Sequence, residues 1–166
     1  MYKLVLVDSH GLGGEVPWRT IPWALVRLPL LNKALWAIMG QSRRMVGWSL
    51  RAVFYELDNV TTGLVDEVCR ITKRPEAARA WRSWQRNEIR WDGPHTNFVS
   101  RLHEAMVPTL IVHGAEDRFV PVAWARRAHQ LIEGSELHVL PRCGHWLPRE
   151  KPEEFGRVVS LFLERN

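Results

Sequence analysis

Cysteine is scarce: only Cys69 and Cys143 occur among the 166 residues. Two thiols cannot build a disulfide framework, and their spacing matches no zinc pattern. A reducing, cytoplasmic setting is the default expectation. No basic block is longer than an adjacent pair, although the formal net charge is +5. Lys and Arg are scattered among Asp and Glu, which reads as a solvated basic surface rather than a nucleic-acid interface. The N-terminal MYKLVLVDSH offers too short an apolar run before Asp8 for a signal peptide or anchor. The longest apolar stretch, residues 21–40, is interrupted by Pro22, Arg27, Pro29 and Lys33. A membrane span there would bury two charges in lipid, so the stretch reads as a helical cover over an apolar pocket. The seven histidines show no metal-ligand spacing. The GLGG at 11–14 has no third glycine where a dinucleotide loop needs one. Neither a metal nor a cofactor is expected.

What remains is a globular balance, 46% hydrophobic and 25% charged, in a chain long enough to bury a core. Three short apolar runs punctuate it: KLVLV at 3–7, VPTLIVH at 107–113 and ELHVL at 136–140. The first two are nearly continuous, as strands of a parallel sheet are when helices cover both faces. Helices are predicted after the second and third runs. Pro121 suits a first helical turn, with Val122, Ala125, His129 and Ile132 following at helical spacing. Pro152 opens the last helix, where Glu153 and Glu154 suit the positive end of its dipole and Phe155, Val158, Val159 and Phe162 form one apolar stripe. This alternation is the α/β pattern. The middle, 15–100, holds seven of the nine tryptophans and no convincing strand. Segments 63–72 and 75–91 read as amphipathic helices, so the middle is a helical insertion between the first and second strands.

Two motifs carry chemistry. HGAEDRFVP, 113–121, puts acidic residues just beyond the second strand, and CGHWLPREKPEEF, 143–155, puts a histidine just beyond the third. In open α/β sheets functional groups gather at the carboxyl ends of strands. Asp117 and His145 are therefore expected at one edge, where a carboxylate accepts the imidazole N–H and fixes its tautomer. Glu116 is the rival acid.

Here the chain resembles the α/β-hydrolase family: a strand running into G-A-E-Asp117, then C-G-His145-W and the E-K-P-E-E-F tail, with LVLVDSHGLGG similar to the family's sixth strand and the turn into its cap. The resemblance implies a partial α/β-hydrolase sheet of about three parallel strands, formed by residues 1–14 and 101–166, with 15–100 as the cap. It implies Asp117 as acid and His145 as base, with Trp146, Phe119 and Val120 lining the substrate pocket. The implied activity is hydrolysis of a small apolar ester or ketone-type substrate. CGHW and DRFVP also look like carbon–carbon bond hydrolases acting on aromatic ring-cleavage products. The family's nucleophile motif, G-x-S-x-G, has only half-matches at Gly40-Gln41-Ser42 and Gly47-Trp48-Ser49, neither after a strand. The expectation is a C-terminal portion that is inactive alone. The other expectation, of a different class, is a non-catalytic module that self-associates or pairs with an N-terminal half through its bare first strand.

Overall fold

A computed structural model describes residues 2–14 and 26–165; the side chains of Met39 and Gln41, and the expected cap residues Trp18, Pro22 and Trp23, lie outside the described set. The chain divides into two compact units. One holds residues 1–13, 51–59 and 97–166, and the other residues 14–50 and 60–96.

The first unit is built on three parallel strands in the order β1 (Leu4–Val7), β2 (Thr109–Gly114) and β3 (Glu136–Leu140). Side chains alternate between faces along a strand, and the register turns that alternation into two cores. Leu6 pairs with Ile111, which pairs with Leu137. All three join one cluster with Trp124, Ala125 and Ala128 of α5 (Val122–Leu131). Val5 pairs with Leu110 and Val7 with Val112. These four join the opposite cluster with Val158 and Phe162 of α7 (Pro152–Glu164). The central strand is consequently buried at every residue, which is why its sequence is an unbroken apolar run.

The expected stripe on α7 is the one that packs. Of the stripe expected on α5, Ala125 and Ile132 pack, but His129 is exposed, and Trp124 and Ala128 complete the buried face. The bulky indole of Trp124 takes the place against the sheet, and the helix begins just after Pro121, which serves as its cap residue.

The second unit contains α1 (Pro29–Gln41), most of α2 (Arg43–Val53), α3 (Thr62–Thr72) and α4 (Pro75–Glu88). Thr61 caps α3 by accepting the Leu64 N–H at 3.2 Å. The helix predicted over 75–91 stops at Glu88. Ile89 instead forms an isolated bridge with Pro94, and the Glu88 carboxylate accepts the Thr96 N–H and hydroxyl at 2.9 and 2.8 Å. Gly93-Pro94 reverses the chain there, which the apolar periodicity does not register. Among the described residues no helix is long and apolar enough to cross a membrane; α1, at 13 residues, spans only about 20 Å.

Residues 51–59, which the sequence places in the insertion, group with the sheet unit. The tie is Glu150, at the end of the short helix α6 (Leu147–Glu150). Its buried carboxylate accepts the N–H groups of Tyr55 at 2.8 Å, Glu56 at 2.6 Å and Gly144 at 2.7 Å. The His145 N–H donates to Val53 O at 2.8 Å. Charge-assisted bonds of this kind are the strong ones. Glu150→Gln leaves one oxygen's worth of acceptance unmet, so we expect a loss of about 1–3 kcal/mol in urea unfolding. A variant as stable as wild type would show that the carboxylate is not the tie.

Candidate active site

Parallel pairing brings the carboxyl ends of all three strands to one edge. Asp8 follows β1, Asp117 lies in the loop after β2, and His145 lies in the loop after β3. The loops can meet because two glycines permit close approach. A Cβ on Gly114 would overlap the carbonyl oxygens of Gly144 and Cys143, and one on Gly144 would overlap Val53 O.

His145 Nδ1 and Asp117 Oδ2 are 2.8 Å apart. The Asp117 side chain is fully buried while that of His145 is 35% exposed, an arrangement with the acid inside and the imidazole facing out. The other oxygen, Oδ1, accepts the N–H groups of Phe119 at 2.7 Å and Val120 at 2.9 Å, which fixes the carboxylate plane. Burial is the largest single influence on His145 and would depress its pKa. The hydrogen bond His145 donates to Asp117 and the negative charges of Asp117 and Asp8 together outweigh it and hold the imidazole above its ordinary 6.5.

The rival acid is engaged elsewhere. Glu116 accepts the Cys143 N–H at 3.0 Å and so cross-links the two loops. Phe119 packs its ring 5.3 Å from His145 and is about half exposed. Trp146 leans on Phe54 at 5.7 Å and carries Arg149 over its face at 5.1 Å. Val120 points the other way, into the cluster with Leu12 and Ile111, so it meets the site through its backbone. Ser42 caps α2, accepting the Met45 N–H at 3.3 Å, and the Ser49 hydroxyl donates to Val46 O at 2.8 Å. Both serines serve helix backbone. The Cys143 thiol is pushed up to about 12 by burial first, then by the charges of Glu150 and Asp8. It stays protonated and is a poor nucleophile.

Two further groups sit beneath the pair, and the sequence reading missed them. Asp8, with φ +40°, accepts the Gly114 N–H at 2.9 Å and the Leu147 N–H at 3.3 Å. Burial raises its pKa, against the lowering effect of those backbone bonds and of His113. His113 is fully buried, with Nε2 2.9 Å from Val120 O and 3.6 Å from Asp117 Oδ2. An acidic residue in the loop after a strand is the signal that points to Glu116 and Asp117, and it applies equally to Asp8. Asp8, His113 and Asp117 bring one ligand-type atom each within 4.8 Å of one another. Every one of the four carboxylate oxygens already accepts an N–H, so a cation there would have to displace protein donors.

The family profile described as "Alpha/beta hydrolase family" matches residues 2–158. A 2-hydroxy-6-oxononadienedioate/2-hydroxy-6-oxononatrienedioate hydrolase from a Pseudomonas species is 35% identical over 165 residues, covering 98% of this chain and 54% of that protein. A 2-hydroxy-6-oxo-2,4-heptadienoate hydrolase from Pseudomonas putida is 51% identical over 55 residues, covering 33% of this chain and 20% of that protein. Among solved structures, a meta-cleavage product hydrolase from Pseudomonas fluorescens aligns over 97% of this chain and 55% of its own, with a TM-score of 0.76 at 25% identity. The chain thus spans about half the length of the curated relative it matches end to end.

The raised His145 pKa fixes the sign of a pH effect. Stability from the ion pair is fully present below the unfolded-state value and is lost as pH rises through the higher folded value. In urea unfolding, Asp117→Asn should cost more at about pH 5 than at about pH 9. An NMR titration should place the His145 midpoint above 6.5 in the wild type and lower in the variant. Equal midpoints would mean that the pair does not form in solution.

Proposed function

We propose that this chain, which belongs to the alpha/beta hydrolase family, carries the acid and base of a nucleophile–His–Asp hydrolytic site. The observation that supports the reading is the 2.8 Å contact between His145 Nδ1 and a buried, doubly anchored Asp117. A carboxylate in that position keeps the proton on Nδ1 and leaves Nε2 as the base. Nε2 takes the proton of a nucleophile as it attacks a carbonyl carbon, passes it to the leaving group, and then activates the water that releases the acyl intermediate. In this reading the nucleophile and the oxyanion donors come from polypeptide outside these 166 residues. Phe119 and Trp146 line the substrate side of the imidazole, and the helical unit serves as the family's cap. The substrate is a small apolar ester or ketone-type compound. The relatives named as hydrolases of 2-hydroxy-6-oxo acids favour the ketone, with carbon–carbon bond cleavage, over the ester.

The 166-residue chain alone should not turn over p-nitrophenyl esters or a 2-hydroxy-6-oxo-dienoate above background. In a protein completed by a nucleophile-bearing half, His145→Ala should reduce kcat by about 10²–10⁴, and Asp117→Asn by a comparable factor through loss of the tautomer. Turnover by the chain alone that is abolished in His145→Ala would overturn the division of labour. A completed enzyme indifferent to both substitutions would overturn the assignment itself.

One observation favours a second reading, a non-catalytic module. Among the described residues β1 pairs on one side only, with β2, and all four of its residues are half-buried. An unpaired apolar edge is a template for another strand. On this reading, size-exclusion chromatography should show concentration-dependent association that Val5→Lys suppresses. A monomer at all concentrations would count against it.

A further inference from the structure

The positive charge of this chain is not evenly placed. The helical unit, residues 14–50 and 60–96, holds twelve Lys and Arg against six Asp and Glu, whereas the sheet unit holds eleven against twelve. The entire formal excess of +5 therefore originates in the residues of this unit. Five of the twelve cations, Lys33, Lys73, Arg74, Arg79 and Arg82, line a single cavity of about 420 Å³. That is the size of a small-molecule cleft. It is formed by α1, α4 and the turn at 72–75.

Three features make this more than a solvated basic patch. Among the described residues lining the cavity none is acidic, and only Arg79 of the five cations is ion-paired, to Glu76 at 3.1 Å. Cations of one sign around a concavity focus the potential inside it. Next, Trp36 lines the cavity and sets an indole beside the cations. Finally, the rest of the lining is mostly apolar: Trp36, Ala37, Pro75 and Ala78, with Gly40 and Thr72, whose hydroxyl already donates to helix carbonyls, and Trp36 is stacked on Trp81 at 5.8 Å. Arg74 and Pro75, at the start of α4, also bring the positive end of that helix to the cavity.

We propose that this cavity is a binding site for a small organic anion, with a planar apolar body against the Trp36 and alanine surface and a carboxylate or phosphate head between Lys33 and Arg82. The site is separate from Asp117 and His145 in sequence and chemistry, and it stands or falls independently of the hydrolytic reading. A nucleic acid would need a continuous basic track rather than one pocket.

Calorimetric titration of the full chain with 1-naphthoate, 1-naphthyl phosphate and uncharged 1-naphthamide tests it. At least one anion should bind at one site per chain, and the amide should bind about tenfold more weakly or worse, as loss of a charge-assisted contact requires; the tighter anion identifies the head group. Lys33→Gln with Arg82→Gln should weaken anion binding about tenfold, while Arg44→Gln with Arg86→Gln, which keeps the same net charge, should leave it within about twofold. His145→Ala should bind as wild type does. If the double variant fails to fold, the single Lys33→Gln change and a fall in affinity with added salt serve in its place. Equal binding of amide and anions, binding unaffected by Lys33 and Arg82, no binding at about 1 mM, or tighter retention of single-stranded DNA than of either anion would overturn the proposal.

Discussion

Backbone hydrogen bonding between parallel strands is the interaction on which this chain depends. Parallel pairing forces every strand to finish at the same edge, and the register from Val7 to Val112 and from Gly114 to Leu140 sets how far each loop starts from its neighbour. The same register sorts Leu6, Ile111 and Leu137 to one face and Val5, Leu110, Val7 and Val112 to the other. A slip of one residue would exchange the two cores and separate the loops together. Core formation and site assembly are thus one event.

Beyond the strands, the edge is held by carboxylates acting as backbone acceptors. Glu150 gathers the N–H groups of residues 55, 56 and 144; Asp8 gathers those of 114 and 147; Glu116 takes that of 143; Asp117 takes those of 119 and 120. Loops cannot satisfy their own polar groups as helices and strands do, so buried acids substitute for a ladder. Two of these acids act on His145 as well: the hydrogen bond it makes to Asp117, with the charges of Asp117 and Asp8, outweighs the depressing effect of burial on its pKa. Structural acceptors and the electrostatics of the imidazole have a common origin.

The two units divide the chemistry. The sheet unit is nearly neutral and holds the Asp117–His145 pair, while the helical unit carries the positive excess and a basic cavity of its own. Charge placement of this kind does not fold a protein; it bears on what the protein attracts.

Much of this was legible in the residues. Continuous apolar runs marked the parallel strands because both faces of β2 are covered, and loop position after consecutive strands put an acid beside His145, with the family resemblance choosing Asp117 over Glu116. The stripe on α7 followed from its 3.6-residue period. Other features were set by contacts between segments distant in sequence. Periodicity cannot say that Trp124 displaces His129 from the sheet face, because that is a matter of side-chain volume against a particular surface. Nor can it foresee that Glu150 draws residues 51–59 to the sheet unit across nearly a hundred positions, that Val120 turns inward, or that five scattered cations line one cavity. Local sequence determines which backbone each segment prefers; which polar groups are buried together, and hence where charge accumulates, is decided only when the segments pack.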